Sequence, residues 1–94
     1  MEEKLKQIIS HYGVKNQLKY IHSEYYELDE AILACEESGE LSEYYQDNIA
    51  GEIADIMVML KQFQYYYGIS DKQIEDIMNF KIERQLSRIT NESN

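Results

Sequence analysis

The stretch Ile49–Leu60, reading IAGEIADIMVML, decides how this chain folds. Ile49, Ile53, Ile56 and Leu60 recur at steps of three and four, and Phe63 and Tyr67 extend the row. That spacing marks one face of an α-helix. Met57, Val58 and Met59 widen the row until most of the circumference is apolar. A helix of that kind is expected to be buried on several sides. The spacing predicts a helix that is firm from about Asn48 to Tyr67, with a start as early as Ser42, and Gly68 ends it.

Working outward, three more helices account for nearly all the remaining chain. Leu5, Ile8, Ile9 and Tyr12 predict a first helix over Glu2 to Tyr12, stopped by Gly13. Leu18, Ile21, Tyr25, Leu28, Ile32 and Cys35 predict a second from Val14 to Glu37, broken by Ser38-Gly39. Ser70, with Gln73 three residues on, has the capping-box pattern of a fourth helix reaching about Ile89, and the tail at 91–94 is expected to fray. The absence of proline and the presence of only four glycines favour long helices over a turn-rich β fold. Ninety-four residues support one hydrophobic core, so the chain reads as one domain over 1–94. The fold class is all-α, a helical bundle of about four helices. Helices two and three would each be about 30 Å long. One layer of this size cannot cover helix three, which predicts a bundle completed by oligomerisation, as a homodimer or homotetramer.

Charge narrows the partners. The net charge is −9, from 18 acidic and 9 basic side chains. Such a surface repels nucleic acid backbones and anionic membranes, so neither is an expected partner. An anionic substrate becomes feasible only where cations bridge it to the protein. Cys35 is the only cysteine, which excludes an intrachain disulfide and fits a reducing, cytoplasmic setting. The N-terminal segment MEEKLKQIIS carries no signal-peptide apolar core, and no apolar run reaches membrane-spanning length.

Glu52 and Asp55 are the only charged residues between Ile49 and Leu60. Three positions apart, they sit about 60° from each other on the helix. A carboxylate that stays ionised among apolar neighbours needs a cation or a set of hydrogen-bond donors. No basic side chain lies in this segment. Glu24 borders the apolar row of helix two beside Ile21 and Leu28, and Glu27 lies one step further round. Antiparallel packing of helices two and three would bring all four acids together. Without cations they would repel or protonate. Oxygen-only ligation suits Mg²⁺, with Mn²⁺ as an alternative. Glutamates three apart also occur at Glu27/Glu30, Glu37/Glu40 and Glu40/Glu43, where they read as solvated helix faces. Neither His11 nor His22 follows a glutamate by three positions, as the histidines of di-iron bundles do, and zinc would want more His or Cys.

The residues then fall into a known pattern. SEYYELDEAI, 24 residues between Glu27 and Glu52, and EIADIMVML together resemble the E-x-x-E…E-x-x-D signature of the all-α nucleotide pyrophosphohydrolases. That superfamily includes MazG-like proteins, dimeric dUTPases, dCTP pyrophosphatases and phosphoribosyl-ATP pyrophosphatase. YGVKNQLKYIHSEYYEL and FKIERQLSRI extend the similarity to roughly Tyr12–Ile89, and look like short single-domain MazG-like proteins of bacterial and phage genomes. The resemblance implies that Glu24, Glu27, Glu52 and Asp55 bind Mg²⁺. It also implies hydrolysis of a nucleoside triphosphate to monophosphate and pyrophosphate. Ser23 departs from the pattern, since many relatives carry an additional glutamate there. The implied mechanism has metal ions align the phosphates and activate an attacking water, with Glu27 accepting the proton.

Lys81, Arg84 and Arg88 recur on one side of the fourth helix. Lys81 and Arg84 match basic positions of the family's last helix, and Lys19 precedes Glu24 by about a turn; all three are candidates for the substrate's phosphates. Surface ion pairing is the plainer reading of such cations. The nine tyrosines, singly, read as core or interface residues. Two rival functions remain open: a phosphoribosyl-ATP pyrophosphatase-like enzyme, and a non-catalytic helical metal- or nucleotide-binding assembly protein.

Overall fold

The computed structural model describes residues 1–93. Its four helices are α1 (Glu2–Tyr12), α2 (Val14–Ser38), α3 (Glu43–Tyr66) and α4 (Asp71–Ser93), with no strand among the described residues. The first two match the expected spans almost to the residue. Gly13 turns the chain between them at φ 90°, a conformation that only glycine adopts without strain. Gly39 ends α2 in the left-handed conformation, φ 73°.

α3 starts at Glu43 after Ser42, the earliest start the sequence allowed, because residues 43–48 are helix-compatible and nothing in them breaks the pattern. α4 continues to Ser93, past the expected end near Ile89, since no proline or glycine follows to stop it; Asn94 lies outside the described residues.

α2 and α3 form the central pair, and α1 lies mainly against α3 through Leu5 and Ile9. Along α2 the most covered residues are Gln17, Ile21, Glu24, Leu28, Ala31 and Cys35. Along α3 a covered row runs Tyr45, Ile49, Glu52, Ile56, Met59 and Phe63, and Gln62, Gln64 and Tyr65 near its end are buried as well. Both rows step 4, 3, 4, 3, 4, the heptad spacing of a coiled-coil seam. The seam therefore takes only half of each apolar row, Ile21, Leu28 and Cys35 of α2 and Ile49, Ile56 and Phe63 of α3. Leu18, Tyr25 and Ile32 of α2, and Ile53, Leu60 and Tyr67 in and just beyond α3, remain exposed. The physical reason is that both helices are apolar over more than one face, so a single partner can cover only part of each.

Three helices pack together and the fourth stands apart. Among the described residues, α4 approaches none of α1, α2 or α3 along its length and is joined to them only at its root. There Asp71 accepts hydrogen bonds from Lys61 Nζ (2.7 Å), Gln64 Nε2 (2.8 Å) and the Tyr65 hydroxyl (2.9 Å). Ser70 Oγ accepts from the Gln73 amide at 3.1 Å, half of the expected capping box. Among the described residues no helix is long and apolar enough to cross a membrane.

Candidate metal centre

The antiparallel α2–α3 pair brings Glu24, Glu27, Glu52 and Asp55 to one place, each offering a carboxylate oxygen within 4.8 Å of the others. Glu24 and Glu52 occupy positions of the heptad seam that would ordinarily hold aliphatic side chains. Glu27 and Asp55, one helical step round on the same side, form the exposed rim. Burial follows an order different from the sequence argument, which gave Glu52 and Asp55 the greater weight. Glu24 is the most buried, at 7% exposure; Glu52 is half-buried and Asp55 is exposed. Asp55 escapes because its side of α3 lies beyond the seam with α2.

The electrostatics are those of a site lacking positive charge. Burial raises the Glu24 carboxyl above its ordinary value, and the charges of Glu27 and Asp55 raise it further. Glu52 is raised by burial first, then by Glu27, Asp55 and Glu24. Glu24 Oε2 and Glu52 Oε2 are buried with no hydrogen-bond partner among the described residues. An unsatisfied buried carboxylate oxygen is rare in a folded protein and is satisfied by a donor or a cation. Opposite oxygens of an octahedral Mg²⁺ shell stand about 4.2 Å apart. A spread of 4.8 Å therefore closes onto one such ion with shifts of a few tenths of an ångström, so hard oxygen-liganded cations fit this donor set.

Tyr20, one turn before Glu24, is a site residue that sequence reasoning passed over. Its phenol is raised above its ordinary value chiefly by the Glu24 charge and by its hydrogen bond to that carboxylate. The i, i+4 spacing from Glu24 was the available signal. Tyr20 also joins two hollows. A smaller one of about 220 Å³ is lined by Tyr20, Glu24, Asp55, Val58 and Met59. A larger one of about 440 Å³ shares Tyr20, Val58 and Met59 and adds Ile8, Tyr12, Asn16, Gln17 and Gln62. Its floor holds a buried amide pair, Gln17 Nε2 donating to Gln62 Oε1 at 2.8 Å. That volume lies in the range of about 300–1,000 Å³ usual for small-molecule sites.

The three candidate phosphate-binding cations are not brought here within one chain. Lys19 is exposed and lines neither hollow; Lys81 and Arg84 lie on the separate α4, where Arg84 stacks over Phe80 at 5.9 Å. Of the nine tyrosines only Tyr65 is fully buried, so most are not core residues in the isolated chain. Comparison of the chain with family models, curated proteins and solved structures finds no match.

Proposed function

We propose that this chain is a Mg²⁺-dependent nucleoside triphosphate pyrophosphohydrolase of the MazG-like type, giving a nucleoside monophosphate and pyrophosphate. One observation carries the reading. Four clustered carboxylates, two of them with an orphaned buried oxygen, stand beside a small hollow lined by Glu24 and Asp55, which shares Tyr20, Val58 and Met59 with an apolar, amide-floored hollow large enough for a nucleoside. An acidic site that takes cations, next to a pocket of that character, suits a ligand with a polyanionic end and a flat, hydrogen-bonding end.

Glu24, Glu27, Glu52 and Asp55 would hold the cation. When bound, Mg²⁺ (or Mn²⁺) supplies charge neutralisation of the phosphates and acidification of the attacking water. Glu27, exposed on the rim, accepts the proton as that water attacks the α-phosphorus and pyrophosphate leaves with the bridging oxygen. The Tyr20 hydroxyl orients Glu24. The base lies in the hollow with Tyr12 and Tyr20 at its sides and Asn16 and the Gln17–Gln62 pair in hydrogen-bonding reach. Lys81 and Arg84 serve the outer phosphates. The enzyme is cytoplasmic and acts as a homodimer or homotetramer, an assembly supported by the apolar rows left exposed on α2 and α3.

Pyrophosphate release from a panel of nucleoside triphosphates with Mg²⁺ tests the reading. Wild-type protein is expected to turn over at least one of them. Glu52→Gln and Asp55→Asn are expected to abolish turnover while the helical circular dichroism spectrum is unchanged. Full activity in either variant overturns the assignment. Turnover of phosphoribosyl-ATP alone would move the chain to that activity. Strong metal stabilisation without turnover of any nucleotide would identify a non-catalytic binding protein.

A further inference from the structure

The polar atoms of the larger hollow are unequally engaged. Gln17 and Gln62 are 7% and 1% exposed, and Gln17 Nε2 donates to Gln62 Oε1 at 2.8 Å. The Met59 sulfur lies beside both amides, 4.0 Å from Gln17 Nε2 and 3.7 Å from Gln62 Nε2. A thioether is a weak acceptor and has no proton to give. Turning both amides over would put two acceptor oxygens against that sulfur. Turning one would set acceptor against acceptor within the pair. The direction of the pair is thus fixed, with both nitrogens inward. Gln17 Oε1 then accepts no hydrogen bond among the described residues, yet it is not sealed off, and the hollow is the opening that Gln17 lines. Two neighbours are set the same way. Asn16, at the exposed rim, donates through Nδ2 to the Tyr12 carbonyl at 2.8 Å, and its Oδ1 accepts nothing among the described residues. The Tyr20 hydroxyl is bonded to the Glu24 carboxylate.

We propose that this hollow selects a nucleobase with an exocyclic amino group, which donates to Gln17 Oε1 and to Asn16 Oδ1, over the keto counterpart of the same ring. Cytosine is preferred to uracil, and adenine to hypoxanthine. The presence of a base in this hollow rests on the pyrophosphohydrolase reading; the choice between amino and keto rings rests on the amides. An amino group brings two donors to two acceptors. Uracil and hypoxanthine carry a carbonyl oxygen in its place, which would face Gln17 Oε1 acceptor to acceptor. The uracil N3–H does not repair this, because it stands between two carbonyls and brings an oxygen along with it. Facing acceptors in place of a matched contact weaken binding by about ten- to a hundredfold. Gln62 and Met59 are positioning residues here, acting through the direction they impose on the Gln17 amide.

Calorimetry of the full chain with Mg²⁺ and cytidine, uridine, adenosine or inosine monophosphate reads this choice without turnover. The amino member of each pair is expected to bind about ten- to a hundredfold more tightly than the keto member. Selection within one pair alone supports the amide reading and adds a limit on ring size. Equal affinity within both pairs, tighter binding of the keto members, or binding of none of the four overturns the proposal. Gln17→Met removes the acceptor, and Gln62→Met frees the Gln17 amide to turn. In both variants the ratio of cytidine to uridine monophosphate affinity is expected to fall toward one. A purely structural role would weaken the two nucleotides alike and leave their ratio unchanged, so a wild-type ratio in either variant, with the helical spectrum intact, overturns the role of the pair. For the triphosphates, kcat/KM is expected to follow the same order within each pair. A chain that selects cytidine monophosphate yet hydrolyses no triphosphate would fail the functional reading and leave the choice of base standing.

Discussion

Glu24 shows what one residue can do to a helical seam. It takes a heptad position between Ile21 and Leu28, is 7% exposed, and keeps a carboxylate oxygen without a hydrogen-bond partner. Burial and the neighbouring acids both disfavour its charge, so the metal-free fold carries a local destabilisation at neutral pH. Glu24→Gln removes the charge and keeps the shape. In the metal-free protein it is expected to raise Tm; relief of about 1 kcal/mol corresponds to about 4–8 °C in a domain of this size. The same variant is expected to lose stabilisation by Mn²⁺. A lower Tm for Glu24→Gln, measured by thermal denaturation with chelator, would mean that the charge is already compensated. The sequence marked Glu24 as a border residue of the apolar row, and family resemblance selected it from several similar pairs. Its being the deepest acid was not legible, because that depends on which face of α2 turns toward α3.

At the scale of elements, the α3–α4 corner is held by polar bonds. Gln64 and Tyr65, both buried, converge on Asp71 with Lys61, and these donors lower the Asp71 carboxyl from its ordinary 3.8 to about 2. A folded-state value below the unfolded one means that the ionised carboxylate favours the fold. The contribution is fully present above about pH 4 and is lost as pH falls through about 2. Titration of the Asp71 carboxyl carbon by NMR is expected to give a midpoint near 2 in the native protein. A midpoint near 3.8 would mean that the corner is open in solution. The helices on either side of this corner could be read from sequence, as could the stop at Gly68 and the cap at Ser70. The bonds from Lys61, Gln64 and Tyr65 could not, since they depend on the angle at which α4 leaves α3.

For the whole molecule, the radius of gyration of 16.6 Å exceeds the roughly 12–13 Å of a compact domain of this length. A ligand that binds only the folded state stabilises by about 2.7 kcal/mol at a hundred times its dissociation constant. Saturating Mn²⁺ is therefore expected to raise Tm of the wild type in a concentration-dependent way, reversed by chelation and absent in Glu52→Gln. A Tm indifferent to divalent cations would dissociate the acid cluster from metal binding. The sequence by itself determined the helices, their number and the family-like spacing of four acids, because helical periodicity and glycine stops are local properties of the chain. It also showed that α3 is too apolar for one partner to cover. Only the tertiary structure decided which faces of α2 and α3 meet, that Glu24 lies deeper than Asp55, and that α4 stands away from the rest. Each of those choices is made between several nearly equal apolar faces, and only packing distinguishes them.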